Sequence, residues 1–216
     1  MTSLDLTWAL GRATLGSALR FFAPLTSYGL ERVPRSGGLV LALNHFHWLD
    51  PAAFGAVSPR PIHYMAKMEA HRTAALGHLI RAFGTFSVRR GESDREAVRL
   101  MRQVVRDGNV LGLFAEGTRQ RSGVPGEVRP GAAMVALQED VPVVPAAVHG
   151  SQFWRFGSFQ PISVAWGEPV RFSGLPRGSR GYREASGELE RRIRTLWEFL
   201  VEMHRLGRPP AAVPPL

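Results

Sequence analysis

LVLALNHFHWLDP, residues 39–51, contains a strand, a loop and the start of a helix in succession. Leu39–Leu43 is wholly apolar and follows a turn-prone Pro-Arg-Ser-Gly-Gly segment, which predicts a buried strand. Asp50 and Pro51 are typical of a helix start, with Asp50 as the N-cap and proline at the first helical position. Residues 44–49 are therefore predicted to form a strand-to-helix loop, a place where α/β sheets hold functional groups.

The same alternation of apolar runs and helical periodicity continues along the chain. Further strands are predicted at residues 61–65, 84–88, 109–114 and 142–148, and helices near 69–81, 93–107 and 131–138. A long final helix is predicted from an apolar stripe at helical spacing: Leu189, Ile193, Leu196, Leu200 and Met203. This order indicates an α/β fold, with one domain over residues 28–207 in which helices flank a mixed sheet.

Composition limits the possible functions. The 216 residues are 44% hydrophobic and 21% charged, as expected of one folded domain, and the absence of cysteine excludes disulfides, thiolate zinc sites and cysteine nucleophiles. A net charge of +9 favours an anionic partner: a nucleic acid, a bilayer, a phosphorylated substrate or an acidic carrier protein. We expect no nucleic acid, since basic residues interleaved with aromatics and known nucleic-acid motifs are absent.

The two ends of the chain differ from the central domain. Residues 1–27 are predicted to contain an amphipathic, membrane-associated helix, in which Trp8, Phe21 and Phe22 suit a headgroup boundary. The alternative is a helix that simply packs on the domain. Three charges make a full crossing unfavourable, so we expect peripheral or monotopic attachment at the cytoplasmic face of a membrane. Residues 208–216 are Pro-rich and predicted to be disordered.

His45 and Asp50 form the first candidate catalytic pair. An imidazole at a strand end is suited to take a proton from a hydroxyl as the hydroxyl attacks a thioester. A carboxylate bonded to the second ring nitrogen would fix the tautomer, and Asp50 is placed to reach back from the following helix. A purely structural N-cap remains the alternative for Asp50. His47 has no such support and is expected to be a loop residue.

FAEGTR, residues 114–119, is the second candidate segment, and it again follows an apolar strand. Arg119 is suited to bind a phosphate through two hydrogen bonds, while Gly117 and Thr118 favour a tight turn. The alternative is an exposed ion pair between Glu116 and Arg119. Arg89 and Arg90 end a further predicted strand on opposite faces, and Lys67 is the single lysine among 27 basic residues. These cations would line a phosphate pocket with Arg119.

With these segments the chain resembles the glycerolipid acyltransferase family. Four family blocks occur in order: Asn44 to Asp50, Gly84 to Arg90, Phe114 to Arg119, and Val141 to Pro145. The resemblance covers roughly residues 28–172 and departs from the family pattern at His47, where the family often has Ser, and at Ala115, where it has Pro.

The resemblance implies an O-acyltransferase of phospholipid biosynthesis, with a lysophospholipid as acceptor. His45 would deprotonate the acceptor hydroxyl, and Asp50 would orient His45. The residues expected to bind substrate are Asn44, Lys67, Arg90, Glu116, Gly117, Thr118, Arg119 and Pro145. Acyl-CoA or acyl-carrier protein would be the donor, with no cofactor or metal. Three alternatives remain. The acceptor could be a different lysolipid or a glycolipid, the protein could bind membranes without catalysis, or the histidines could hold a metal, for which the His45-Phe46-His47 spacing to Asp50 is wrong.

Overall fold

The computed structural model describes Trp8, residues 13–14, 16–17, 19, 21–67, 86–88 and 94–215. For residues 66, 67, 86–88 and 94 it describes the backbone alone. The strands are β1 (Leu25–Tyr28), β2 (Leu39–Leu43), β3 (Ile62–Lys67), β4 (Phe86–Val88), β5 (Val110–Phe114), β6 (Val143–His149) and β7 (Ile162–Trp166). The helices with defined bounds are α1 (Asp50–Val57), α2 (Asp94–Arg106), α3 (Gly131–Glu139) and α4 (Ser179–Arg205). Short 3-10 turns span Leu30–Arg32 and Ser151–Phe153.

The strands of the described part of the chain form one mixed sheet in the order β1-β7-β6-β2-β5-β3-β4. All neighbouring strands run parallel except β6 and β7, which are antiparallel. The carboxyl ends of β2, β5 and β6 therefore lie at the same edge of the sheet as the amino ends of β1 and β7. We call this the catalytic edge, because β2 and β5 lead directly into the two candidate segments.

The centre of the sheet is β2, which is buried on both faces because its five residues are all apolar. Leu39, Leu41 and Leu43 pack on the α1 side together with Phe54 and Trp166. Val40 and Ala42 pack on the opposite side against α2, α3 and α4. A continuous apolar run of this kind is characteristic of a parallel strand covered on both faces.

The α/β architecture and the mixed sheet agree with the sequence-based prediction. Strands were expected where β2 to β6 occur, and helices where α2 and α3 occur, with bounds shifted by at most three residues. The predicted helix near residues 69–81 lies outside the described residues. The N-cap assignment of Asp50 is wrong, because Leu49 occupies that position and Asp50 is the first helical residue.

Two strands and one contact were not expected from the sequence. β1 and β7 pair with each other and complete the sheet beyond β6. The Pro-rich segment, expected to be disordered, contacts the domain, since an Arg32 guanidinium N–H donates to the Pro214 carbonyl at 2.8 Å. The Pro-rich composition of this segment does not predict the contact, because the hydrogen-bond donor is the side chain of Arg32, 182 positions away in the sequence.

The amino-terminal segment is described only in part. Trp8, Ala13, Thr14, Gly16, Ser17, Leu19, Phe21 and Phe22 are helical. Trp8 is buried near Gly55 of α1, while Phe21 is 68% exposed. Most of the predicted amphipathic helix lies outside the described residues, and its apolar stripes stay a prediction. Among the helices that the structure describes, none combines the length and apolar character needed to cross a membrane.

Candidate active site

His45 and Asp50 meet at the catalytic edge, as the sequence predicts. The Nδ1 atom of His45 lies 2.8 Å from Oδ2 of Asp50, whose side chain is completely buried. The same carboxylate oxygen accepts the backbone N–H groups of Phe46 and His47, at 2.6 and 2.7 Å. Asp50 thus fixes the loop and the imidazole together. With the Nδ1 proton directed at Asp50, Nε2 of His45 is the nitrogen left to accept a proton.

Aromatic packing holds the His45 ring from one side. The ring stacks on Phe114 at the end of β5, with centroids 4.0 Å apart and planes 23° apart. Phe114 stacks in turn on Tyr64 of β3 at 5.8 Å. The His45 side chain retains 17% exposure. A base fixed by packing and a carboxylate, yet open to solvent at one nitrogen, is suited to proton abstraction from a bound hydroxyl.

Glu116 connects the two candidate segments. Its Oε2 accepts the His45 backbone N–H at 2.8 Å, and its Oε1 accepts the Gly126 backbone N–H at 3.0 Å. Burial raises the pKa of Glu116 to about 7, although both hydrogen bonds oppose the rise. Both oxygens are therefore engaged by backbone, and the geometry favours positioning of His45 over direct contact with an acceptor.

The Glu116–Arg119 ion pair considered from the sequence is not formed. Gly117 takes a left-handed conformation (φ 72°), which turns the chain away from β5 so that Gly117, Thr118 and Arg119 are exposed. Among the described residues, no side chain pairs with Arg119. Its guanidinium is close enough to His47 to help lower the pKa of that imidazole, behind burial as the main cause. Arg119 is thus an accessible cation beside the catalytic loop.

Asn44 and Pro145 have structural positions. Asn44 is fully buried, donating to the Val148 carbonyl at 3.1 Å and accepting the Val148 N–H at 2.7 Å. These two bonds join the residue after β2 to β6, just beyond the last paired residues of the two strands. Pro145 is buried inside β6, opposite Ala42 of β2. Its contact with substrate stays a prediction.

Two predicted cations cannot be placed at the site. Lys67 ends β3, but its side chain lies outside the described part of the structure. Arg90 and Arg89 lie outside the described residues altogether. Their contribution to a phosphate pocket stays a prediction. Among the residues that are described, no group of three His, Cys, Asp or Glu side chains is arranged to hold a metal ion.

Two residues near the site were not singled out from the sequence. The backbone N–H of Gln120 donates to the His45 carbonyl at 2.7 Å. The backbone N–H and the carbonyl of His45 are therefore both bound by the chain that follows β5. Arg155 is exposed and close enough to His47 to contribute to the lowered pKa of that imidazole. Its place after β6, another strand ending at the catalytic edge, was the signal that could have identified it.

Comparisons with known proteins agree with this geometry. A family model described as Acyltransferase matches residues 24–149, which include both candidate segments. The 1-acyl-sn-glycerol-3-phosphate acyltransferase of Bacillus subtilis (strain 168) is 30% identical over 161 residues, covering 71% of this chain and 78% of that protein. The chain belongs to the acyltransferase family. The matched residues include His45 and Asp50.

Further similarities support the fold of this acyltransferase. The probable 1-acyl-sn-glycerol-3-phosphate acyltransferase of Mycoplasma genitalium is 35% identical over 127 residues, which cover 55% of this chain and 46% of that protein. The crystal structure of the 1-acyl-sn-glycerophosphate acyltransferase from Thermotoga maritima superposes with a TM-score of 0.68 at 21% identity. The superposition covers 88% of this chain and 77% of that chain. It supports the arrangement of sheet and helices.

Proposed function

We propose that this acyltransferase moves a fatty acyl group from acyl-CoA or acyl-carrier protein to the free hydroxyl of 1-acylglycerol-3-phosphate, which gives phosphatidate. The observation that carries the proposal is the His45–Asp50 pair, held at 2.8 Å beside the exposed Arg119 segment. A base and a phosphate-binding cation at one sheet edge match a phosphorylated alcohol as acceptor. The relatives' names support the same acceptor.

In the proposed reaction His45 acts first as base and then as acid. Nε2 takes the proton of the acceptor hydroxyl while the hydroxyl oxygen attacks the thioester carbonyl carbon, and a tetrahedral intermediate forms. Collapse of the intermediate breaks the carbon–sulfur bond, and the thiolate takes the proton from His45. The products are an ester and a thiol. Asp50 stabilises the transient imidazolium, and base catalysis of this kind contributes typically ~10² to 10⁴ in rate.

The acceptor phosphate is assigned to the exposed cations around His47. Arg119 provides a planar guanidinium that matches phosphate oxygens through two hydrogen bonds, and Arg155 adds a second charge from the segment after β6. Arg90 and Lys67 are proposed to complete the pocket. Burial is the main cause that lowers the pKa of His47, and the charges of Arg155 and Arg119 act in the same direction, whereas Asp50 opposes them.

Attachment to a membrane surface belongs to the same proposal. The acceptor and the product are lipids, and the net charge of +9 favours an anionic bilayer. We assign the contact to one leaflet on the cytoplasmic side, with the amino-terminal segment lying in the interface. Phe21, 68% exposed and followed by Phe22, supports this assignment.

An acceptor panel with an arginine variant tests the proposed substrate. We expect phosphatidate from lysophosphatidate and acyl-CoA, and a much lower rate with 1-monoacylglycerol, which lacks the phosphate. Arg119→Ala should lower kcat/KM for lysophosphatidate by roughly 10- to 100-fold, the effect of losing a charge-assisted hydrogen bond. Arg121→Ala is the matched control, because Arg121 is exposed on the same loop two residues away.

The control should stay within about twofold of the unmodified protein, as surface substitutions usually do. Equal rates on the acceptors with and without phosphate would contradict the assigned substrate. Equal loss in Arg119→Ala and Arg121→Ala would show a general charge effect instead of a specific phosphate contact.

A further inference from the structure

Four phenylalanines from distant parts of the chain form one exposed cluster. Phe21 and Phe22 precede β1, whereas Phe156 and Phe159 lie between β6 and β7. The Phe22 ring is 5.9 Å from Phe156 and 6.1 Å from Phe159, and Phe21 is 6.0 Å from Phe159. Their exposures are 68%, 37%, 85% and 49% in chain order. We call this cluster the aromatic surface.

The segment that carries Phe156 and Phe159 is built as a tight turn. The Ser158 N–H donates to the Arg155 carbonyl at 3.0 Å, and the Arg155 N–H donates to the Ser158 hydroxyl at 3.1 Å. Phe159 has φ 50°, a conformation that costs energy for a bulky side chain. The turn therefore exposes two apolar rings and does so with a strained backbone. Contact with water alone stabilises neither feature.

The aromatic surface is continuous with the catalytic loop. Trp154 joins the two, because its indole N–H donates to the Phe22 carbonyl at 3.2 Å while its ring lies 5.9 Å from His47. Trp48, 62% exposed, packs against Trp154 at 6.1 Å. Since β1 begins and β6 ends at the catalytic edge, both parts of the surface lie on the side of the molecule that carries His45.

We propose that the aromatic surface is a bilayer contact in which the 155–159 turn is a second anchor beside the amino-terminal segment, so that the catalytic edge faces the membrane. Phe156 and Phe159 enter the boundary between headgroups and acyl chains, and the net charge of +9 attracts the protein to anionic headgroups. This inference rests on the proposed function in one respect, namely that the enzyme takes its acceptor from a lipid surface.

A bilayer fits this surface better than a second copy of the chain. At ~200 Å² for each phenylalanine side chain, the four exposed fractions amount to roughly 500 Å². A stable protein interface buries about 800 Å² on each partner. A few aromatic rings beside basic residues are sufficient for interfacial attachment, and the net charge of +9 opposes self-association while favouring anionic lipid.

Vesicle binding of the full chain tests the proposal with Phe156→Ser combined with Phe159→Asn. Asn adopts positive φ more readily than Phe, and Phe156 is 85% exposed, so the thermal midpoint should stay equal or rise. The matched control is Val213→Ser, which removes a 73% exposed apolar side chain next to Pro214 at the opposite edge of the sheet. Partition is measured by co-sedimentation with phosphatidylethanolamine–phosphatidylglycerol vesicles at low and high salt.

We expect the double variant to lose about tenfold or more in partition at both salt concentrations, because the ring contribution is apolar. Val213→Ser should partition as the unmodified protein does. Unchanged partition of the double variant would overturn the proposal. So would a concentration-dependent dimer of the unmodified protein that the double variant abolishes, because the surface would then belong to a second copy.

Activity in detergent separates this inference from the proposed function. The double variant should retain acyl transfer in mixed micelles, where no bilayer has to be bound, and lose it on vesicles in parallel with its partition. A protein whose vesicle binding depends on Phe156 and Phe159 but which makes no phosphatidate would refute the function and leave the bilayer contact standing.

Discussion

The carboxyl of Glu116 explains how two distant segments act as one site. Both of its oxygens accept backbone N–H groups, one of them from His45, and the adjacent Gln120 N–H binds the carbonyl of His45. The backbone N–H and the carbonyl of His45 are thus both hydrogen-bonded to the segment after β5. A small shift of a catalytic group can cost a large factor in rate, so this arrangement ties activity to the position of Glu116.

Glu116→Gln tests positioning against direct binding. The amide has one acceptor oxygen for two N–H donors, so one of the two backbone bonds is lost. We expect kcat to fall roughly 10- to 100-fold and the KM for lysophosphatidate to stay within about twofold. Glu127→Gln, an exposed carboxylate on the same loop, should leave both constants unchanged. A raised KM with unchanged kcat would instead identify Glu116 as an acceptor ligand.

At the scale of elements, buried His149 and half-buried His204 join the long helix α4 to the sheet. His204 Nε2 lies 2.9 Å from the Ser163 hydroxyl of β7, and its ring contacts His149 of β6 with centroids 4.7 Å apart. Burial lowers the pKa of each imidazole to about 4. Both are therefore neutral near pH 7, and the charge gained in acid would be placed between packed elements.

The lowered pKa values predict loss of stability in mild acid. A depressed imidazole pKa contributes stability that is complete above the unfolded value of 6.5 and is lost as the pH falls towards 4. His204→Gln should reduce the loss between pH 7 and pH 5 by about 1–2 kcal/mol, measured as the free energy of unfolding in urea.

Arg205→Gln serves as the control, since it breaks only an exposed pair with Glu202 and should leave this pH dependence unchanged. An unaltered pH dependence in His204→Gln would show that His204 does not contribute to it.

The sequence predicts the elements whose signal is local and misses those that depend on distant partners. Leu39–Leu43 is apolar throughout, and its predicted bounds match β2. β1 has four residues, three of which carry hydroxyl side chains, and it becomes a strand only because β7 pairs beside it. The His45–Asp50 contact was predictable because only five positions separate the two residues. The Glu116 bond to His45 spans 71 positions, and no periodicity indicates it.

On the scale of the whole molecule, the direction of the strands decides where chemistry occurs. The parallel centre of the sheet brings the ends of β2, β5 and β6 to one edge. Because β7 is antiparallel to β6, the connection between them, which carries Phe156 and Phe159, lies at the same edge. The base, the exposed cations and the exposed rings thus share one side of the protein. This arrangement suits the proposed uptake of the acceptor from a membrane surface.

The rate of phosphatidate formation in His45→Ala tests the central assignment most directly. Initial rates from acyl-CoA and lysophosphatidate in mixed micelles should fall at least about 10²-fold, because among the described residues the His45 ring is the one hydrogen-bonded to the Asp50 carboxylate. Circular dichroism should be unchanged, and Arg121→Ala measured alongside should keep the rate of the unmodified protein. Turnover by His45→Ala equal to that of the unmodified protein would contradict His45 as the base.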